Sequence, residues 1–159
     1  MKPTTSEWIE VRNSKIHGKG VFAAKDIPKE TRIIEYVGRK ITKKESDKVA
    51  DETLKKAEEN PEHGAVYLFE INDEYDIDGD VEWNTARLIN HSCNPNCETE
   101  QDEDERIWIS SIVDIKKGEE LSYNYGYGLD EYKDHPCKCG NDNCIGYILA
   151  EKHWKKIKK

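Results

Sequence analysis

Apolar positions along the chain fall mostly into short β-branched or aromatic runs separated by turn residues. The runs EWIEVRN (residues 7–13), GVFAA (20–24), RIIEYV (32–37), AVYLFEI (65–71) and RIWISSI (106–112) predict strands. The string IKKGEELSYNY (115–125) predicts a turn at Lys117-Gly118 followed by a further strand.

One segment, residues 42–59, shows the periodicity of a helix. Thr42 and Glu45 have the spacing of a capping box, and Ala50, Leu54 and Ala57 repeat along one face before Asn60-Pro61 ends the pattern. From residue 134 the composition changes to a cluster of Cys, Gly and Asn, followed by a lysine-rich end that could form a short helix. Many short strands with one clear helix predict a β-rich α+β domain with a small metal-bound appendage.

The 159 residues are enough for one domain with a hydrophobic core. Their charge is distributed unevenly along the chain. Charged residues make up 36%, the net charge is −8 and the mean hydropathy is −0.94. The last nine residues hold five lysines and one glutamate, so the remainder has 20 basic and 32 acidic residues, a net −12. An acidic domain of this kind repels nucleic acid and attracts basic partners, although a net charge of this size also serves ordinary solubility.

The cysteines indicate a metal centre rather than disulfides. No signal peptide and no apolar run of roughly 20 residues is present, which predicts an intracellular protein with reduced thiols. Three cysteines in CKCGNDNC, Cys137, Cys139 and Cys144, could occupy three corners of a tetrahedral zinc site, the alternative being a chance cluster. The fourth ligand would be Cys93 or Cys97 of RLINHSCNPNC; otherwise His135 or His153 would supply it.

Two further patterns could serve packing or chemistry. Gly18 and Gly20 predict a hairpin turn, although glycine also permits a close backbone approach to a ligand. The G-x-G-x-x-G pattern of dinucleotide sites is missing. Tyr123, Tyr125 and Tyr127 alternate along one predicted strand, so they should share a face, either as packing or as an aromatic slot for a lysine side chain.

Taken together, these motifs resemble the SET-domain protein lysine methyltransferases over residues 7–147. IHGKGVFA resembles the first cofactor motif of that family, ARLINHSCNPNC its central signature, IKKGEELSYNYGY its closing motif and CKCGNDNCIGY its post-SET zinc motif. VGRK departs from the usual Gly-Glu, Trp83 stands where a small residue is commoner, and no cysteine-rich pre-SET segment is present. The helix at 42–59 falls where the family carries its variable insert.

The resemblance implies a β-rich α+β SET fold of small curled sheets, with a C-terminal pseudoknot and a zinc appendage. Residues 7–128 would form the SET domain, 134–150 the post-SET zinc segment and 151–159 a basic tail.

It also implies the site residues and the cofactors, S-adenosylmethionine and zinc. Tyr125 would be the catalytic tyrosine, with Tyr36 and Tyr123 lining the lysine channel. The residues expected to contact S-adenosylmethionine are His17, Lys19, Tyr67, Asn90, His91 and Lys138, while Arg87 is expected in a structural ion pair. The zinc ligands would be Cys93, Cys137, Cys139 and Cys144, leaving Cys97 out.

The function implied is S-adenosylmethionine-dependent methylation of lysine in histone or histone-like basic tails. Because Tyr123 occupies the position of the family's Phe/Tyr switch, the expected product is mainly monomethyl-lysine with some dimethyl-lysine. Neither nucleic acid nor membrane is expected as a direct partner, and a histone substrate would place the protein in the nucleus or on the chromosome. The competing interpretations are a catalytically silent SET-like module that binds basic tails and a purely structural zinc protein.

Overall fold

The computed structural model describes residues 2–16, 18–60 and 67–157 and shows ten short strands arranged in four small sheets. The strands are β1 (Ile9–Asn13), β2 (Lys19–Ala23), β3 (Arg32–Tyr36), β4 (Arg39–Thr42), β5 (Leu68–Glu70), β6 (Tyr75–Asp78), β7 (Asn90–His91), β8 (Cys97–Gln101), β9 (Ile107–Ser111) and β10 (Ser122–Tyr123). The sheet orders are β1-β2, β3-β9-β8, β4-β6-β5 and β7-β10, and only the last pair is parallel. The predicted β-rich fold of small sheets is confirmed.

The core lies around the antiparallel sheet β3-β9-β8. Ile34 of β3 faces Ile109 of β9, and both are buried together with Ile27, Ile115 and Leu121 from neighbouring loops. Burying a large aliphatic side chain stabilises a fold by about 1.5–3 kcal/mol, so this cluster holds the small sheets to one another.

Helix α1 spans Lys43–Glu59, as predicted, and begins with the predicted capping box. The Thr42 side chain accepts a hydrogen bond from the Glu45 amide, and the Glu45 carboxylate accepts one from the Thr42 amide. An ion pair between Lys43 and Asp76 of β6, at 2.5 Å, connects the first turn of α1 to the sheet β4-β6-β5. The apolar stripe ending at Ala57 is only half-buried, so α1 lies on the flank of the domain.

The C-terminal part of the chain runs back against β7. β10 pairs with β7 in parallel, with Ser122 beside Asn90 and Tyr123 beside His91, where the predicted pseudoknot brings the two segments together. Beyond β10 the amide of Ala150 donates to the carbonyl of Tyr127 at 3.0 Å. A turn at Glu151–His153 and the short helix α2, Trp154–Ile157, follow.

Some elements differ from the prediction. The strand expected to carry Tyr123, Tyr125 and Tyr127 ends at Tyr123, because the chain turns away near Gly126, whose φ is +71°. Strands β4, β6 and β8 were not predicted, since their sequences RKIT, YDID and CETEQ are short and rich in polar residues. Residues 65 and 66 of the predicted strand AVYLFEI lie outside the described residues, and β5 covers Leu68–Glu70.

Among the described residues, no helix combines the length and the apolar character that crossing a bilayer requires.

Candidate active site and cysteine centre

A cleft of about 580 Å³ lies between the β1–β2 hairpin, the segment 87–91 and the C-terminal segment 134–148. Its volume is within the range of about 300–1,000 Å³ typical of small-molecule sites. The predicted site residues that line it are Lys19, Tyr67, Asn90, His91, Tyr125 and Lys138. Residues far apart in sequence therefore meet around a single space large enough for a cofactor.

The side-chain amide of Asn90 is held in a fixed orientation at this cleft. Its Nδ2 donates to Glu120 Oε1 at 2.9 Å and to the Lys19 carbonyl at 3.3 Å. The same carboxylate oxygen accepts from Ser14 Oγ at 2.6 Å. A Cβ at Gly20 would lie 2.2 Å from Glu120 Oε1, so the absence of a side chain at position 20 leaves room for this carboxylate. Gly20, the second glycine of the GKG turn, thus leaves space for the Glu120 carboxylate, and this carboxylate orients the Asn90 side chain.

Tyr125 lies on the cleft wall, and two hydrogen bonds fix its position. Its hydroxyl donates to the carbonyl of Ile89 at 2.5 Å, and its amide donates to His91 Nδ1 at 3.1 Å. Burial, with the neighbouring tyrosines Tyr123 and Tyr127 adding to it, raises the pKa of Tyr125 well above its ordinary value of 10. The hydroxyl therefore stays protonated at neutral pH and can act as a neutral hydrogen-bonding group but not as a base.

Tyr36 and Tyr123 lie behind this wall rather than on the cleft surface. Tyr123 is 5% exposed and its ring centroid is 4.9 Å from that of Tyr125, while Tyr36 packs edge-on against Phe69 at 4.5 Å. The Tyr36 hydroxyl donates to the Tyr67 carbonyl at 3.1 Å. Phe69 lies 6.2 Å from Tyr123, so aromatic rings run without a break from Tyr36 to Tyr125.

Four cysteines meet beside the cleft. The ligand atoms of Cys93, Cys137, Cys139 and Cys144 all lie within 4.8 Å of one another. Cys93 Sγ is 3.7 Å from Cys137 Sγ and 3.8 Å from Cys144 Sγ. A tetrahedron with metal–sulfur bonds of about 2.3 Å has edges of about 3.8 Å. The spacing of these thiols fits a tetrahedral metal ion, and the four residues could hold one.

Ionisation of these thiols is uneven. Burial raises the pKa of Cys93 to about 11. Burial also opposes ionisation of Cys139, but hydrogen bonds from the backbone of Cys93 and Asn141 outweigh it and lower the pKa to about 6. Of the four thiols, Cys139 is therefore the one whose hydrogen bonds most favour the thiolate form that binds a cation.

The other candidate ligands lie elsewhere. Cys97 opens β8 inside the hydrophobic core, where burial raises its pKa to about 12. His135 packs against Tyr127 with ring centroids 4.4 Å apart and ring planes tilted by 53°, and His153 lies in the turn before α2. None of the three belongs to the group of four.

Side chains of the C-terminal segment attach the cysteine centre to the domain. Asn141 donates to Ser92 Oγ at 2.7 Å, and Asn143 donates to the carbonyl of Cys93 at 3.1 Å. Both the Asn and the Cys residues of CKCGNDNC therefore contact residues 92 and 93, which directly follow β7. These contacts hold the C-terminal segment in place, and Lys138 of that segment lies on the cleft wall.

Sequence reasoning missed part of the cleft. His17 lies outside the described residues, so its contact with the cofactor stays a prediction. Arg87 was expected in an ion pair, but its Nε donates to the carbonyl of Val81 at 3.0 Å, none of the described ion pairs includes it, and it lines the cleft. Ala57 of α1 also lines the cleft, as do Tyr127 and His135. Only Tyr127 carried a signal, the alternation of tyrosines; the other contacts arise from chain folding.

Comparison with known proteins identifies a family and several relatives. Residues 18–126 match the family described as the SET domain. The chain is 41% identical over 150 residues to "Histone-lysine N-methyltransferase trr" of Drosophila melanogaster, covering 90% of this chain and 6% of that protein. It is 40% identical over 146 residues to human "Histone-lysine N-methyltransferase 2D", covering 87% and 2%. It is 35% identical over 145 residues to "Histone-lysine N-methyltransferase, H3 lysine-4 specific" of Aspergillus oryzae, covering 88% and 11%. The chain thus spans only a small part of the length of these relatives.

Proposed function

Because this chain belongs to the SET-domain family, we propose that it is an S-adenosylmethionine-dependent protein-lysine N-methyltransferase. The observation that carries this proposal is the position of Tyr125, whose ordered, protonated hydroxyl lies on the wall of the cleft shared by Asn90 and His91. The tyrosine hydroxyl, the oriented amide of Asn90 and a cofactor-sized cleft meet at one place, as methyl transfer would require.

The cleft residues suit a ligand with a charged amino-acid end and an aromatic end. Lys19, Arg87 and Lys138 supply positive charge for a carboxylate, and Tyr127 and His135 offer ring faces for a base. When bound there, S-adenosylmethionine supplies a methyl group already activated by its positively charged sulfur.

The chain's own residues then have only to position a neutral lysine amine. In-line displacement needs alignment more than a strong base, and good alignment can lower a barrier by about 7–11 kcal/mol. The buried rings of Tyr36, Phe69 and Tyr123 disfavour a charged ammonium behind Tyr125, because burial penalises the charged form. Because the hydroxyl of Tyr125 donates its proton to the Ile89 carbonyl, its oxygen lone pairs are left to accept a hydrogen bond from the amine.

The proposed substrate is a basic histone tail. The relatives are named histone-lysine methyltransferases, and that of Aspergillus oryzae is named as specific for lysine 4 of histone H3. The net −12 of residues 1–150 suits an extended, positively charged peptide. A histone substrate would place the protein in the nucleus or on the chromosome.

We assign zinc to the cysteine centre. Four sulfur ligands at tetrahedral spacing are typical of structural Zn²⁺, and such sites are closed to substrate. Its role here would be to hold Lys138 and the rest of the C-terminal segment against the cleft.

The test combines binding and methyl transfer. The protein is incubated with recombinant histones and radiolabelled S-adenosylmethionine, and the methylated lysine is located by mass spectrometry. Tyr125→Phe should leave cofactor binding by calorimetry intact and lower methyl transfer at least tenfold, which corresponds to about 1.4 kcal/mol of barrier. Asn90→Ala should instead weaken cofactor binding.

The same experiment judges the alternative of a silent module that binds basic tails. Cofactor binding with no methyl transfer to any histone or lysate protein would favour the silent module. No cofactor binding at all would favour a structural zinc protein.

A further inference from the structure

The side chain of His91 contacts two different parts of the proposed enzyme through its two ring nitrogens. Nδ1 lies 3.1 Å from the amide nitrogen of Tyr125, and Nε2 lies 3.7 Å from Cys93 Sγ. The residue is 5% exposed, so neither nitrogen has ready access to bulk water.

The first contact determines the tautomer of the ring. A backbone amide can only donate, so Nδ1 must be the acceptor and carries no proton. A neutral imidazole then carries its hydrogen on Nε2, the nitrogen that faces the Cys93 sulfur. The ring can therefore accept from Tyr125 and donate to Cys93 at the same time.

The position of Tyr125 explains why a side chain is needed here. The pairing of β7 with β10 stops at His91 and Tyr123, so the amide of Tyr125 lies past the end of the ladder. His91 Nδ1 supplies the acceptor that the ladder no longer offers, and the rings of His91 and Tyr125 meet edge-on at 5.3 Å. Because this hydrogen bond holds the backbone of Tyr125, it also fixes the direction in which the Tyr125 side chain extends.

We propose that His91 is a positioning residue that links the cysteine centre to Tyr125, because its Nε2–H donates to the Cys93 sulfur while its Nδ1 accepts from the Tyr125 amide. A metal-bound thiolate is a good acceptor for such a hydrogen bond, and partners of this kind orient ligands and tune a metal. The cysteine centre then fixes the tyrosine itself as well as the C-terminal segment. The proposal rests on the proposed function only in calling Tyr125 catalytic; the two contacts are independent of it.

Two substitutions at position 91 distinguish the contact made by Nδ1 from the contact made by Nε2. Asparagine places an amide group near the position of Nδ1, so His91→Asn can keep an acceptor for the Tyr125 amide but cannot reach Cys93. Glutamine reaches the position of Nε2, so His91→Gln can keep a donor to the sulfur but leaves the Tyr125 amide without its acceptor. The probes are the sulfur-to-metal charge-transfer band of the Co²⁺-substituted full chain and the NMR shift of the Tyr125 amide.

The expected results are opposite for the two variants. His91→Asn should shift the cobalt band and leave the Tyr125 amide signal close to its position in the unmodified protein. His91→Gln should keep the cobalt band but move the amide proton upfield and lower kcat at least tenfold. His135→Asn is the matched control for the two spectra, since its ring contacts Tyr127 and not a sulfur.

Two results would overturn the proposal. In the first, His91→Asn leaves the cobalt band unchanged and His91→Gln leaves the Tyr125 amide signal unchanged. In the second, both variants change both spectra in the same way, as a general loss of structure would. Either variant tests its own contact if the other fails to fold. An unmodified protein without methyl transfer would refute the proposed function, while the cobalt and amide signals would still decide the role of His91.

Discussion

Replacing Gly20 with alanine places a methyl group against the carboxylate of Glu120. The new Cβ would lie 2.2 Å from Glu120 Oε1 and 2.9 Å from Ser14 Cβ. Since contacts below 3.0 Å are not tolerated, the carboxylate must move. It then loses the hydrogen bonds from Ser14 Oγ and Asn90 Nδ2, at 2.6 and 2.9 Å.

The size of the effect follows from these two bonds. Hydrogen bonds to a charged group contribute about 1.5–3 kcal/mol each, and a half-buried carboxylate recovers part of this from water. Alanine in place of glycine at an unstrained backbone position would otherwise stabilise the fold by about 0.4–1 kcal/mol. Gly20 has no positive φ, so the expected loss of about 2 kcal/mol in unfolding free energy reflects the clash alone. Misorientation of Asn90 should also weaken cofactor binding about tenfold.

A double-mutant cycle isolates this contact. Unfolding free energies are measured in urea for the unmodified protein, Gly20→Ala, Glu120→Ala and the double variant, with cofactor binding by calorimetry. Once the carboxylate is gone, only the contact with Ser14 Cβ remains, so the added methyl should cost less by about 1.5 kcal/mol or more, which is the expected coupling. The contact between the added methyl group and Ser14 Cβ is present with and without Glu120, so it cancels from the coupling free energy. Additive effects within about 0.3–0.5 kcal/mol would refute the argument that Gly20 makes room for Glu120.

Three further perturbations have defined outcomes. Cys93→Ser should release bound metal and disorder the C-terminal segment, whereas Cys97→Ser should keep the metal; zinc release measured with a colorimetric chelator would contradict the ligand set if the two variants behaved in reverse. Tyr123→Phe should shift the product from mainly monomethyl-lysine toward di- and trimethyl-lysine, because it removes a hydroxyl able to hold a water beside the amine; abundant trimethyl product from the unmodified protein would contradict this. Hydrogen bonding from the Trp108 indole, with amides and the nearby guanidinium adding to it, lowers the pKa of Asp102 from 3.8 to about 2, so its stabilisation is complete above about pH 4 and is lost as the pH falls toward 2. Thermal unfolding of Asp102→Asn should lack this component, and an unchanged acid dependence would argue against it.

Local chemistry made part of this molecule predictable. The capping box and the spacing of Ala50, Leu54 and Ala57 defined α1 to within a residue, because helix signals act over one or two turns. The spacing of the three cysteines in CKCGNDNC likewise indicated a shared site without knowledge of the fold.

Contacts between distant segments were beyond such reasoning. Glu120 meets Ser14 across 106 residues, and no local pattern marks that pair. The choice of Cys93 over Cys97 came from the family resemblance, since residue types alone allowed both. Arg87, expected in an ion pair, has a carbonyl partner instead within the described part of the chain, because the partner that an arginine finds depends on its tertiary surroundings.

The long span of the cysteine centre has a consequence for how the protein acquires its activity. Cys93 meets Cys137 and Cys144, which lie 44 and 51 residues further along the chain. Closing such a loop costs about 3 kcal/mol in the length-dependent part of its entropy alone, and zinc binding can offset it. The sheet that contains Ile34 and Ile109 includes none of the four cysteines, whereas residues 134–148, which hold three of them, form one wall of the cleft. If the cysteine centre binds zinc, as we propose, a shortage of zinc should leave the cleft without this wall, and the supply of metal would then limit how much of the protein can bind its proposed cofactor.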